Sequence, residues 1–183
     1  MVSTAAVLIG TKGVAATSFS EVLAASGAPR GSIYHYFPGG KKQLIADAVR
    51  WTSGQVLAYQ RTSPVATPEQ VLLHFLNFFR GSIVASDCEV GCPVAAIVIG
   101  AYVERRELSP AVGRSFRSWH RLLTEQLTAT GVPRVRAHPL ATIALASIEG
   151  ALVLCRAQHS VEPLDAVAGE LRRLSKGTRS RGS

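Results

Sequence analysis

Residues 17–42 read TSFSEVLAASGAPRGSIYHYFPGGKK, and the fold turns on this stretch. Ser18 and Glu21 stand at S-x-x-E spacing, the pattern of a capping box in which each side chain takes up a backbone N–H at a helix start. Phe19, Val22 and Leu23 follow at i, i+3 and i+4, one apolar face of a helix. Gly27 ends that helix and permits a sharp turn. A second short helix is predicted from Pro29 to about Phe37, where Pro38-Gly39-Gly40 breaks it, and a third begins near Lys41. Two short helices joined by a glycine turn and followed by a basic helix start have the order of a helix-turn-helix reader of DNA.

At 100° per residue, Ile33 and Phe37 fall together and should pack on Phe19, Val22 and Leu23. Gly31, Ser32 and His35 then face away, Tyr34 and Tyr36 flank them, and Arg30 reaches outward from the first turn. Arginine can hold guanine O6 and N7 with paired hydrogen bonds, and Ser, Tyr and His can donate to phosphates or base edges. Gly31 allows close approach of the backbone to a groove wall. Lys41 and Lys42, with the free N–H groups at their helix start, suit a backbone phosphate. Ser18 and Pro29, at the starts of the two helices, complete the expected DNA-facing set. The same helix order also occurs in proteins that never touch DNA, and Tyr34 and Tyr36 would serve equally as half-buried packing residues.

Composition narrows the class without choosing the partner. The chain has 183 residues, 47% of them hydrophobic and 17% charged, with mean hydropathy +0.20, which suits a folded protein and not a disordered one. A formal charge of +8 favours a polyanion, whether nucleic acid or an anionic membrane, or simply a basic coat. Residues 1–50 hold five of the Lys and Arg and two of the Asp and Glu, so most of the excess lies elsewhere. The most apolar run, Ala141 to Leu154, is short for a membrane span and contains Glu149. MVSTAAVLIGTKG at the N-terminus has no basic region before its apolar run, so no secretory signal is expected and the cytoplasm is the default.

Cys88, Cys92 and Cys155 are too few and too uneven for a disulfide scaffold. The C-x3-C spacing of the first two lacks a neighbouring second pair, so no metal site and no cofactor are expected. G-x-S-x-G, H-E-x-x-H and the dinucleotide glycine pattern are missing. Gly39-Gly40-Lys41-Lys42 lacks the first glycine and the Ser/Thr of a phosphate loop, and the histidines are scattered singly. An enzyme is not expected.

The rest of the chain is punctuated by prolines, which fit the first turn of a helix. An all-α fold is predicted, with helices from Met1 to Lys12, from Lys41 towards Tyr59, and from Pro68, Pro93, Pro110, Pro139 and Pro163. Their expected ends are Ser86, about Arg106, Thr130, Gln158 and about Lys176. Residues 1–50 should form an N-terminal three-helix domain and residues 51–176 a second helical domain, with 62–68 as linker and 177–183 as a disordered tail. HFLNFF at 74–79, with Tyr102, Trp119 and Glu149, offers an apolar pocket with polar handles; its candidates are His74, Phe75, Phe78, Tyr102, Trp119 and Glu149. Each of these serves equally as core, but Glu149 on an apolar helix needs a partner.

The run SFSEVLAASGAPRGSIYHYFPGGKKQLIADAV resembles the DNA-binding domain of the TetR (tetracycline repressor) family, particularly its LmrA/YxaF-like branch with an F-P-G-G-K turn. Gly27, Gly31, Ile33, Tyr34, Tyr36, Phe37 and Lys41 stand where that pattern puts them. GCPVAA at 91–96, and IEGALVLCRA with EPLD at 148–165, extend the resemblance. It departs at Pro29, where such proteins commonly have a Ser or Thr cap, and the basic arm that relatives often carry before helix 1 is not seen. The resemblance implies a repressor that binds a near-palindromic operator as a homodimer and is released by a small molecule. It also implies that residues 51–176 are an effector-binding and dimerisation domain, with the dimer contact on the last two helices. There Ala144, Ser147 and Ala151 allow close approach, as does Gly150, and Ile148 and Leu154 supply apolar area, with Leu152 beside them.

Overall fold

The computed structural model describes residues 1–29, 31–100 and 102–177, with the side chains of Tyr34 and residues 102–107 set aside. Among the described residues there is no strand. The helices are α1 (Val2–Lys12), α2 (Phe19–Ser26), α3 (Ser32–Tyr36), α4 (Gly40–Arg61), α5 (Pro68–Ala85), α6 (Pro93–Ile99), α7 (Tyr102–Ala129), α8 (Arg134–Gln158) and α9 (Glu162–Lys176). They form two compact units, one of residues 1–55 and 90–115, the other of residues 56–89 and 116–183.

In the first unit the core gathers Ala5, Ala6 and Ile9 of α1, Val22 of α2, Ile33 and Phe37 around α3, and Leu44, Ile45 and Ala48 of α4, each at most 5% exposed. α1 packs on α2 and on α6. Gly10 makes the second contact possible: the Gly91 N–H donates to its carbonyl at 3.0 Å, and a Cβ on Gly10 would lie 2.7 Å from the Gly91 oxygen. Gly13 ends α1 with φ 80° and ψ 173°, a positive φ outside the left-handed helical conformation.

The second unit is built on mutual packing of α5, α8 and α9. Thr67 caps α5 by accepting the Gln70 N–H at 3.2 Å, and Pro68 sits in its first turn. The Arg80–Asp165 pair at 3.0 Å ties α5 to α9 across the surface. Gln60 and Gln126, 1% and 8% exposed, form a polar knot. The Gln60 Nε2 donates to the Val71 carbonyl at 3.2 Å and to Gln126 Oε1 at 2.7 Å, and Gln126 Nε2 donates to the Gln60 carbonyl at 3.0 Å.

Several helix bounds differ from the sequence expectation. Pro110 and Pro139 lie inside α7 and α8 instead of opening them. Pro139 deprives the Val135 carbonyl of an N–H, but Val135 is 85% exposed and water can take that bond. The single helix expected over 93–106 ends at Ile99, where Gly100 turns to extended backbone. α8 has the length and apolar composition of a membrane-crossing helix, contrary to the reading from its most apolar run. Its Ala141, Ala144, Ile148, Ala151 and Cys155 are nevertheless buried against its own chain, as in a core helix. The tail residues 178–183 lie outside the described residues.

Candidate nucleic-acid interface

The site begins at the α2 N-terminus. The Ser18 hydroxyl accepts the Glu21 N–H at 3.3 Å, and the Glu21 carboxylate accepts the Ser18 N–H at 2.9 Å. The capping box therefore forms as its spacing predicts. Lys12 pairs with the same carboxylate from the end of α1. Those contacts hold the Glu21 carboxyl down at about 2, the Lys12 bond first and the Ser18 bonds after it. Ser18 is thus engaged in shaping the helix start. Gly27 follows in the left-handed conformation, φ 68° and ψ 11°, which a glycine adopts without steric cost.

α3 is shorter than predicted, Ser32–Tyr36 instead of 29–37. Its approach is a tight turn in which the Pro29 carbonyl accepts both the Ser32 N–H at 3.0 Å and the Ser32 hydroxyl at 2.6 Å. α3 has no side-chain cap; the Ser32 hydroxyl, as a donor, ties its first turn back to Pro29, and its lone pairs stay available. Ile33 and Phe37 are buried at 1% and 5%, as the helical spacing requires, so the opposite side faces outward. There Gly31 is exposed with open space where a Cβ would stand. His35 and Tyr36 are exposed, their rings edge to face at 5.2 Å. Arg30 and the side chain of Tyr34 lie outside the described residues.

The turn into α4 is held by a residue that sequence reasoning missed. Gln43 accepts the Gly39 N–H at 2.8 Å and donates to the Tyr36 carbonyl at 3.2 Å, bridging the end of α3 to the start of α4. A Gln one turn into a helix that opens on a glycine is the available signal, since its amide can both donate and accept. Gly40 takes φ 69° at the same turn. Lys41 reaches back to the Ala15 carbonyl at 3.4 Å, and Lys42 is exposed. One edge of this unit thus presents a short helix with polar and aromatic groups, next to a helix start bearing two lysines. Such an edge can enter a major groove while its lysines neutralise flanking phosphates.

In the second unit the pocket candidates divide. Phe75 and Trp119, both 1% exposed, meet with ring centroids 6.3 Å apart, in a cluster that Phe79 and Phe116 complete. His74 lies elsewhere: it stacks on Tyr59 at 4.2 Å, and its Nε2 reaches the Tyr59 carbonyl at 2.9 Å and the Thr62 hydroxyl at 3.2 Å, at the end of α4. Phe78 packs on Tyr59 at 5.5 Å and on Phe79 at 5.2 Å. The Glu149 carboxylate oxygens are shielded from solvent. Tyr102 has its side chain outside the described residues.

The dimer candidates also separate by face. Ala144, Ile148 and Ala151 are at most 2% exposed within the single chain, so their side chains pack inside it. Ser147 is half-buried and Leu154 is 50% exposed. With Ile143, Val167 and Leu174, Ser147 borders a shallow α8–α9 groove of about 600 Å³.

Comparisons with known proteins agree with this architecture. Residues 2–48 match the profile of bacterial regulatory proteins of the tetR family, and residues 68–170 match that of the C-terminal domain of LmrA/YxaF-like transcriptional regulators. An uncharacterized HTH-type transcriptional regulator of Mycobacterium tuberculosis is 38% identical over 95% of this chain and 91% of its own. The HTH-type transcriptional regulator LmrA of Bacillus subtilis is 27% identical over 90% of this chain and 88% of its own. In fold, a TetR transcriptional regulator from Legionella pneumophila superposes with a TM-score of 0.82 at 19% identity, over 94% of this chain and 93% of that one. The chain therefore belongs to the TetR family of bacterial transcriptional regulators, in its LmrA/YxaF-like branch.

Proposed function

We propose that the chain represses transcription as a cytoplasmic homodimer on a near-palindromic operator and is released from it by a small molecule. The observation that carries the DNA-reading part is the outward face of α3, where Gly31, His35 and Tyr36 stand exposed over a buried Ile33 and Phe37. On this reading Arg30, Ser32, Tyr34, His35 and Tyr36 contact bases or nearby phosphates, and Lys41 and Lys42 contact phosphates. Ser18 and Pro29 fix the two helix starts at the backbone.

One short helix spans too few base pairs for strong specificity, which argues for two copies on a repeated half-site. The outer α8 and α9 side chains, exposed Ile143 and Leu154 with half-buried Ser147 and Val167 among them, are the surface assigned to that pairing. Ala144, Ile148 and Ala151 stiffen the helix beneath it. The effector site is assigned to the aromatic region of Phe75 and Trp119 with Glu149, and ligand binding would favour a subunit arrangement that no longer fits the groove spacing. The test is an electrophoretic shift of DNA flanking the protein's own gene at moderate salt, together with sedimentation at micromolar concentration. A shifted band and a dimer are expected. No shift removes the operator reading, and a monomer alone removes the pairing.

A further inference from the structure

Part of the positive charge that the reader helices do not account for lies on one surface of the second unit. Residues 116–138 contain four arginines, Arg117, Arg121, Arg134 and Arg136, against the single acid Glu125. His120 Nε2 lies 3.0 Å from the His138 carbonyl and the two rings are 4.4 Å apart, so the α7 turn bearing Arg117 and Arg121 lies beside the α8 face that Arg134 shares with His138, one turn on. Arg136, two residues from Arg134, points to the other side of α8, the side of Ile143 and Leu154. All four arginines are exposed. Among the described residues the one ion pair on this surface is Arg121 with Glu125 at 3.8 Å, between side chains 76% and 58% exposed, a loose and solvent-screened contact.

The placement of two of these arginines opposes the local electrostatics. A helix start favours acids, yet the first turn of α8 holds none and α8 has no side-chain cap. Arg134 and Arg136 occupy that turn instead. A bound anion removes the repulsion that the free protein carries there.

We infer that the surface of Arg117, Arg121 and Arg134 binds the phosphate backbone of duplex DNA without sequence preference, as a second DNA contact separate from α3. The chemistry of the patch selects among polyanions. Of the large apolar side chains in 117–138, Val135 is the one strongly exposed. A protein interface is anchored on buried aromatic or aliphatic side chains, and a membrane-surface helix inserts an apolar face; neither is present. Exposed aromatic rings on which single-stranded bases would stack are also missing. Guanidinium forks match phosphate oxygens in pairs and need nothing further from a duplex backbone.

The experiment uses the full chain and a 30-base-pair duplex with no inverted repeat, with affinity read by fluorescence anisotropy at several salt concentrations. Compared with wild type are Arg117→Ala/Arg121→Ala/Arg134→Ala, the same three positions changed to Lys, and Lys41→Ala/Lys42→Ala. Each phosphate contact contributes about 0.9 to the slope of log K against log salt. The alanine variant should therefore flatten the slope by about 3 while keeping its helical circular dichroism, and the lysine variant should keep most of the slope. The alanine changes should flatten it again in the Lys41→Ala/Lys42→Ala background, which separates this surface from the reader. An unchanged slope in the folded alanine variant overturns the inference. So does loss of polyglutamate binding with duplex binding intact, which would assign the surface to an acidic protein.

Discussion

Replacing Gln126 by Leu tests the polar knot at the end of α4. Gln60 Nε2 faces two acceptors, Val71 O and Gln126 Oε1, so its orientation is fixed by the network and a flip would set oxygen against oxygen. Gln126→Leu removes one of those acceptors and strands an N–H in a side chain 1% exposed. A stranded buried donor costs about 1–3 kcal/mol, and the lost Gln126 bond to the Gln60 carbonyl adds about 1 kcal/mol. That carbonyl retains the Ser63 N–H at 3.1 Å, which limits the second loss. Gln60→Leu strands Gln126 Oε1 at a similar cost. The double variant strands neither amide and also removes Gln60 Oε1, a buried acceptor without a partner among the described residues. Its cost should therefore fall well below the sum of the single variants, giving a coupling energy of about 2 kcal/mol. Urea unfolding of all four proteins by circular dichroism, at one fixed protein concentration, measures the cycle. Single-variant costs that simply add would refute the knot.

Further expectations concern local features. Glu21 has its carboxyl pulled from the usual 4.5 down to about 2 by Lys12 and Ser18, so the stability it contributes is present above pH 4.5 and lost as pH falls towards 2. Thermal scans of wild type and Glu21→Gln should differ at neutral pH and converge near pH 2. Ser18→Ala should cost about 1 kcal/mol in chemical denaturation, the usual loss of an N-cap. Gly10→Ala should destabilise by about 1–3 kcal/mol through overpacking against the Gly91 oxygen at 2.7 Å, whereas Gly54→Ala, with open space in α4, should stabilise by about 0.5–1 kcal/mol; melting temperatures decide both. Burial raises the Cys155 thiol, and Cys88 and Cys92 are 5% and 6% exposed. A thiol reagent should therefore label the native protein slowly and all three cysteines in denaturant.

What could be read from the chain beforehand follows the range of the interactions. The Ser18–Glu21 capping box, the Gly27 turn and the Ile33–Phe37 face depend on residues within a turn or two of one another, and they form as their spacing requires. Pro110 and Pro139 broke the local rule because packing continues a helix past a proline whose orphaned carbonyl can find water. Ala144, Ile148 and Ala151 mark a close helix approach, but side-chain size does not say whether the neighbour is the same chain or another. Burial at 2% or less assigns them to the chain itself. His74 looked like a polar group among pocket aromatics, and its role at the end of α4 depends on Tyr59, fifteen residues away. The Gln60–Gln126 knot joins residues 66 apart, beyond any periodicity. Gln43 bonds Gly39 and Tyr36, four and seven residues away, so its role is local, but a glutamine beside two lysines has no spacing pattern that marks it as a bridge.

The central claim is that α3 and the start of α4 read an operator, with bases and phosphates divided between them. Selection of bound sequences from a random duplex pool, run on wild type, Arg30→Ala and Lys41→Ala, tests it most directly. Wild type should enrich an inverted repeat. Arg30→Ala should enrich a repeat with relaxed preference at one or two positions per half-site, and Lys41→Ala should enrich the wild-type repeat at uniformly lower affinity with a salt slope flatter by about 1. Failure of the wild-type protein to enrich any repeat, or the same change in both variants, would contradict the account.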